Sequence, residues 1–414
     1  MFRPPSRISK SKAAIVIAGM SCIQMWCSAA TESLTLRVAD VDPLGLANVV
    51  LGGDALDLGM ENGIKGDFSY GLGVSSVYDS NFFLSEDDPE SEFSANFSPW
   101  INYKSDPEGG ARVSFTANYS PVMRAYMGNP DFNGTDQNGN VSMTVAGTKT
   151  IVSLYMTYNE ISGTDRLTGG FVNGSLLTTG MQGSYQIAPR TSLFAGWTAA
   201  TSEYESDSIA GSDICTAQIG GFWSATERFS FGPAIRYSVM ESDNTGTRDA
   251  WALYMKARYR VGERIHIYGS LGLEHAKNSN DSGNSTVGLT GDLTANYAIN
   301  ERWGWTNGIQ YVTVPSPTES SYMINNLSIS TALSRQLLRA TVAMGLDLNI
   351  SDYEEVGSVG TDLGTEHNLG AFISYQRKLF SERLAFESKF RYAVNDGAVD
   401  WCQFQLSAGL IIQF

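Results

Sequence analysis

The sequence predicts an all-β chain, a transmembrane antiparallel β-barrel of about eighteen strands with short periplasmic turns and long extracellular loops. Three observations predict this fold. Apolar residues take every second position from about residue 66 to the last residue, short and long connections follow one another in turn, and a Glu-Arg phrase recurs at short connections. Alternation with a period of two indicates strands, because successive side chains of a strand point to opposite faces of the sheet.

The segment WALYMKARYRV gives the clearest example of this alternation. Trp251, Leu253 and Met255 share one face, whereas Lys256 and Arg258 lie on the other. The same criterion predicts eighteen strands, at residues 66–79, 91–104, 110–123, 140–147, 150–160, 174–188, 191–202, 213–224, 229–240, 249–261, 264–275, 285–299, 302–313, 322–333, 337–349, 367–379, 383–394 and 400–414.

The connections between these segments predict which ends of the strands lie together. APR, VGER, NER and FSER are short, whereas SNFFLSEDDPE and ESDNTGTRD are long and polar. An even number of strands with short connections at one end and long ones at the other is typical of outer-membrane barrels. A closed sheet also satisfies every backbone hydrogen-bonding group within a membrane. We therefore expect the short turns and both chain ends on the periplasmic side.

The amino terminus has the composition of a secretory signal peptide. Four basic residues precede an apolar run that ends in the small residues SAA at 28–30: Arg3, Arg7, Lys10 and Lys12. This order predicts cleavage before Thr31 and export to the bacterial outer membrane. We expect residues 31–65 to form a periplasmic extension or a partial plug, and residues 66–414 to form the barrel. A lipid anchor at Cys22 or Cys27 is the alternative, although the residues before them fit a lipidation motif poorly.

The net charge of the chain indicates which classes of partner it does not bind. Loss of the signal peptide takes the net charge from −15 to −19, and nucleic-acid binding needs a basic face, so no nucleic acid is expected.

Aromatic residues at strand ends, among them Tyr70 and Trp401, are expected in the interfacial girdles next to lipid and lipopolysaccharide. The last segment ends in Phe414, like the assembly signal that the barrel assembly machinery reads. Homo-oligomerisation stays open.

Two stretches carry a resemblance to a known family. YDSNFFLSEDDPESEF (Tyr78–Phe93) and FSPWINY (Phe97–Tyr103) resemble the start of the beta-barrel porin type 2 group, in which a Tyr-x-x-Asn-aromatic strand end precedes an acidic loop and a Ser/Thr-Pro strand. The resemblance implies an outer-membrane barrel, often associated with exopolysaccharide and exosortase systems. It transfers no catalytic residue.

The polar register of the predicted strands supplies candidate pore-lining residues. If the apolar register faces lipid, these charged side chains face the interior: Lys104, Arg112, Arg236, Lys256, Arg258, Arg260, Asp292, Arg339, Glu387, Lys389 and Arg391. Their excess of cations under acidic loops would bias which ions or acidic sugars pass. Alternatively, these charges only pair with one another.

No catalytic or metal site is expected. His266, His275 and His367 are separated by whole strands, which is poor spacing for metal ligands, so no cofactor is predicted. Glu274 next to His275 is the best hydrolase candidate, but no serine elbow accompanies it.

The two cysteines of the mature chain are expected to be free thiols that face lipid. Cys215 and Cys402 lie in apolar registers of the eighth and last predicted strands. A disulfide needs α-carbons within about 7 Å, and strands so far apart in the barrel do not provide that.

Two functions from different classes fit these features. The first is a porin-like channel for passive or system-associated passage of polar or charged solutes, with a link to exopolysaccharide export implied by the resemblance. The second is a non-conducting structural or surface-interaction barrel whose acidic loops bind polysaccharide or cations. An enzyme is not expected.

Overall fold

The computed structural model describes residues 67–105, 113–165, 170–206, 209–242, 246–278, 285–315, 322–355, 364–380, 383–397 and 399–414. The predicted signal peptide, the segment 31–65 and Arg112 lie outside these residues.

The described chain forms β-strands and one short 3-10 turn at Pro130–Phe132. In chain order the strands are β1 (Asp67–Asp79), β2 (Glu92–Lys104), β3 (Val113–Tyr119), β4 (Val122–Tyr126), β5 (Gly134–Asp136), β6 (Asn138–Ala146), β7 (Thr150–Asp165), β8 (Gly170–Ala188), β9 (Thr191–Tyr204), β10 (Ser212–Ser224), β11 (Phe229–Ser242), β12 (Gly246–Val261), β13 (Ile265–Asn278), β14 (Ser285–Asn300), β15 (Trp303–Pro315), β16 (Tyr322–Gln336), β17 (Ala340–Glu355), β18 (Thr365–Lys378), β19 (Leu384–Asp396) and β20 (Trp401–Gln413).

These segments make eighteen barrel strands, because two barrel strands are interrupted. β3 and β4 both pair with β2, and β6 and β5 continue the sheet beside them. The first interruption falls at Pro121, which has no N–H to donate to the ladder. The second falls at Gln137, whose carbonyl accepts from the N–H of Glu160 on β7.

The sheet closes on itself. Neighbouring strands are antiparallel, and β1 pairs with β20 from Gly71 opposite Gln413 to Asp79 opposite Gln405. The fold is therefore the eighteen-stranded antiparallel barrel that the sequence predicts. Phe414 lies at this seam, where its N–H donates to the carbonyl of Tyr70 at 2.9 Å.

The two ends of the barrel differ less in connection length than the sequence predicts. Connections of two to eight residues lie at the end where β1 begins and β20 stops, which we call the short-turn end. Connections of three to twelve residues lie at the opposite, long-loop end. Strands run farther towards this end than expected: β7 reaches Asp165 and β17 reaches Glu355. Polar residues continue the ladder there because backbone pairing does not need apolar side chains.

Exposure alternates along the strands. Leu253 on β12 is 63% exposed, whereas the next residue, Tyr254, is 6% exposed. Large apolar side chains are exposed in the same way on other strands, for example Val74 on β1, Leu271 on β13 and Leu406 on β20. The outer face of the barrel is thus apolar.

Both cysteines are exposed on this outer face, on β10 and β20 as predicted. The expected position of Trp401 is wrong. Its side chain is buried inside the barrel in a cluster with Leu84 and Ala393, because it belongs to the interior register of β20.

Candidate functional site

A buried ion triad lies on the interior face of β11–β13. Glu274 accepts from Arg236 and from Arg248, with nitrogen–oxygen distances of 2.8 Å in both pairs. Arg236 and Glu274 both lie opposite Ala252 of the intervening strand. The small side chain of Ala252 leaves room for Arg236 to reach across β12. Because two guanidinium groups share one carboxylate, the triad is a net positive group.

Farther towards the short-turn end, Lys256 contacts aromatic and amide side chains of the interior face. Its Nζ is 5.3 Å from the ring centre of Phe194 and 5.4 Å from that of Tyr254. It also donates to Oε1 of Gln218 at 3.3 Å. Ring faces attract cations, so these contacts hold the ammonium group near the interior wall.

Arg258 is held in a similar way. Its guanidinium lies 4.2 Å from the ring centre of Phe222, and Phe222 packs against Phe194 with ring centres 5.2 Å apart. Gly220 makes this possible, since a β-carbon there would lie 2.5 Å from the Phe194 ring. The glycine lets the rings pack against the wall beneath the basic groups.

We call the interior face of β9–β13 the positive wall. The interior register of these strands holds one carboxylate, Glu274, and five cations: Arg236, Arg248, Lys256, Arg258 and Arg260. Four of the five are predicted pore-lining residues. The barrel brings these four to one wall, with Arg260 exposed close to the short-turn end.

Three further predicted residues lie on the interior face of β19. Arg391 pairs with Asp347 of β17 at 3.3 Å, and Lys389 lies 5.6 Å from the ring centre of Phe372. Glu387 is buried and accepts from a glutamine amide of β18. Here both signs of charge occur together, so this part of the interior is more nearly balanced than the positive wall.

The remaining predicted residues are scattered. Asp292 on β14 lies in the interior register and accepts from the hydroxyl of Ser270. Lys104 is exposed at the last position of β2. The predicted strand position of Arg339 is wrong, because this residue lies in the exposed turn before β17, which begins at Ala340. The turn contains apolar residues, so the sequence pattern predicts a strand start that is too early.

The β1–β2 connection, residues 80–91, is fastened to β20. Asn81, 1% exposed, accepts from the N–H of Ser85 at 2.9 Å and donates to the carbonyls of Ser85 and Cys402 at 2.8 and 3.1 Å. The Asp79 carboxylate accepts from Nε2 of Gln403 at 2.8 Å. The Asn and acidic residues of the motif Tyr78–Phe93 thus fix the start of this loop.

The loop then turns its apolar residues inwards. Phe82 packs against Tyr126, Phe132 and Phe171, with ring centres 5.1, 5.9 and 5.5 Å apart. Leu84 has a φ of 52°, a left-handed conformation that a leucine adopts only where its surroundings hold it. Its side chain is 4% exposed. Burial of these two residues places the loop in the barrel mouth.

A second apolar contact joins strands that are not neighbours in the sheet. Leu176, Ala200, Ile214 and Met240 lie on the consecutive strands β8–β11 and are at most 8% exposed. Met323 of β16, 3% exposed, belongs to the same cluster. Because β12–β15 separate β11 from β16, this contact crosses the interior. We call these five residues the cross-barrel cluster.

Sequence reasoning missed several interior residues. Arg248 shares the register of Lys256 and would have been found had the predicted strand been extended to the start of β12. Arg124 on β4 pairs with Asp136 at 2.9 Å, in segments that the sequence left between strands. Nothing in the local pattern distinguishes Met323, whose contacts come from distant parts of the chain.

The hydrolase candidate does not form a site. Glu274 points inwards to the two arginines, whereas His275 is exposed in the outer register of β13. In the described part of the chain no group of three or more His, Cys, Asp or Glu is placed to hold a metal ion. None of the described helices is long and apolar enough to cross a membrane.

Comparison with known proteins gives matches only among solved structures. No model of a protein family and no curated protein matches the chain. OccAB3 from Acinetobacter baumannii is 10% identical, with 84% of this chain and 100% of that chain covered and a TM-score of 0.44. The outer membrane protein OpdK from Pseudomonas aeruginosa is 11% identical, with 84% and 99% covered and a TM-score of 0.45. OccK2 (OpdF) from the same organism is 12% identical, with 84% and 98% covered and a TM-score of 0.47.

The similarity to these three proteins concerns the barrel architecture alone. The resemblance to the porin type 2 group rests on the two motifs at Tyr78–Phe93 and Phe97–Tyr103 alone.

Proposed function

We propose that this chain is an outer-membrane channel through which polar solutes diffuse, with a preference for anions. The observation that carries the proposal is the positive wall inside a closed barrel. Barrels of about 16–18 strands are wide enough for an aqueous channel. Transport of this kind makes and breaks no bond, so no catalytic residue is needed.

The location follows from the two faces of the sheet. A water-soluble protein rarely exposes apolar patches beyond a few hundred Å², whereas this barrel exposes large apolar side chains on strand after strand. Lipid is the environment that such a face fits. Together with the predicted signal peptide, this supports export to the bacterial outer membrane, with the short-turn end in the periplasm.

The proposed selectivity is electrostatic. Five cations against one carboxylate on β9–β13 give that wall a net positive charge. Anions are attracted to it and cations repelled, and the effect is strongest where the channel is narrow. The rings of Phe194, Tyr254 and Phe222 hold two of the cations, Lys256 and Arg258, against the wall.

A non-conducting surface barrel is the second candidate, and two observations favour it. The inward β1–β2 loop and the cross-barrel cluster both occupy the long-loop end. Four acidic residues of that loop are exposed and available to cations or polysaccharide: Glu86, Asp87, Asp88 and Glu90. Participation in exopolysaccharide export, which the motif resemblance implies, belongs to either candidate.

Conductance of the purified full-length protein in planar lipid bilayers tests the proposal. We expect discrete current steps and, in a salt gradient, a reversal potential of the sign given by anion preference. The control is circular dichroism, which should show that the protein in the membrane is folded as β-sheet. Absence of current from folded protein would support the non-conducting barrel instead.

A further inference from the structure

We propose that the cross-barrel cluster is an apolar gate that holds the channel shut at the long-loop end. The proposal rests on the proposed function, since a gate requires a channel. The interior of a channel-forming barrel is normally polar. Five buried apolar side chains from β8–β11 and β16 are therefore out of place unless they have a role there.

The positions of the cluster residues fit a barrier. Four of them, Leu176, Ala200, Ile214 and Met240, form a continuous apolar belt, because each lies on the next strand of the sheet. Met323 reaches this belt from β16. An ion that passes between them would lose its hydration shell against apolar groups, and apolar constrictions exclude ions by dewetting.

The start of β16, which carries Met323, is held against the end of β15. Val314 of β15 lies opposite Ile324 of β16, and these two residues are 6% and 1% exposed. Thr313 donates to Asn325 at 2.7 Å, between the same two strands. β16 also pairs with β17, with Met323 opposite Glu354, so the ends of β15–β17 move away from β8–β11 as one unit. Such a movement breaks the apolar contacts of Met323 but leaves the ladders between these three strands intact.

The chemistry of the contact suits repeated opening. Apolar contacts have no directional hydrogen bonds that must be remade, and methionine is unbranched and adapts to changing surroundings. The closed state is then favoured by burial of Met323 and its partners. Any change that weakens this burial should raise the open fraction.

The test is the open probability of single channels formed by the full-length Met323→Ser variant in planar bilayers. Removing a buried methionine side chain should raise the ratio of open to closed time roughly thirtyfold, equivalent to about 2 kcal/mol. Met240→Ser, on the opposite side of the contact, should act in the same direction, and Met323→Leu should stay close to wild type. Met127→Ser is the matched control, because Met127 is 69% exposed and outside the cluster.

The outcomes separate the gate from the channel. If wild type conducts and neither serine variant changes its open probability, the gate is wrong and the proposed function stands. If neither the wild type nor the folded serine variants conduct, the proposed function fails, and the gate fails with it. A rise for Met127→Ser as large as for Met323→Ser would also overturn the gate, since the effect would not depend on the cluster.

Discussion

Reversing the charges of the positive wall should reverse the ion preference of the channel. The perturbation is the triple variant Lys256→Glu, Arg258→Glu and Arg260→Glu. All three residues lie in the interior register of β12. With five cations against one carboxylate the wall carries a net charge of +4, and the triple variant takes it to −2.

The size of the effect follows from Coulomb's law. An ion about 8 Å from a unit charge in water gains about 0.5 kcal/mol, and a Debye length of about 10 Å at 0.1 M salt lowers this to roughly 0.2 kcal/mol. Four net charges then lower the free energy of an anion at the wall by about 0.9 kcal/mol, which raises its concentration there roughly fivefold over bulk solution. Two net negative charges should instead enrich cations roughly twofold.

The assay is the reversal potential of single channels in a potassium chloride gradient. Wild type should give the sign of an anion-selective channel, and the triple variant the opposite sign. Arg339→Glu is the matched control: it makes the same change of charge in the exposed turn before β17 and should leave the sign unchanged. An unchanged potential in a folded, conducting triple variant would show that these three residues do not set the ion preference.

Three further predictions follow from particular contacts. Glu274→Gln should lower the free energy of unfolding by about 3 kcal/mol, because it leaves two largely buried arginines without their carboxylate. The exposed Asp249→Asn control should cost less than about 1 kcal/mol, and equal denaturation midpoints for the two variants would contradict the role of the triad. Asn81→Ala should speed protease cleavage within residues 85–91, because Ser85 and Cys402 lose their partner, whereas Glu86→Ala on the exposed part of the loop should not. Because Cys215 and Cys402 form no disulfide, the protein should have the same gel mobility with and without reductant. A compact, reducible form would count against the placement of the two cysteines on separate strands.

The sequence predicted the parts of this molecule that depend on alternation. Lys256 and Leu253 were assigned to opposite faces correctly, because a strand's period of two fixes the direction of every side chain once one is known. The errors at Arg339 and Arg248 arise because apolar residues do not mark the ends of strands. Apolar residues precede Arg339 in a turn, whereas the ladder at the start of β12 continues through polar residues.

The residues that fill the mouth of the barrel could not be predicted from the local sequence pattern. Asn81 belongs to a motif that the sequence shows, but its bond to the carbonyl of Cys402 joins residues more than three hundred positions apart. Leu84 is buried because Ala393 and Trp401 meet it. In the same way Met323 becomes part of a cluster only after the sheet has closed. Contacts of this kind depend on the curvature of the whole barrel and leave no periodic trace in the sequence.

Thiol accessibility at two adjacent positions of β13 tests most directly whether the barrel has a wet interior and a lipid-facing exterior. Ser270 lies in the interior register, and Leu271 beside it is 66% exposed on the outer face. Ser270→Cys and Leu271→Cys would be made separately in a chain whose own Cys215 and Cys402 are replaced by serine. With the protein in lipid membranes and a water-soluble maleimide, position 270 should be labelled and position 271 protected. Labelling of 271 with protection of 270, or equal labelling of both, would contradict a barrel with a wet interior and a lipid-facing exterior.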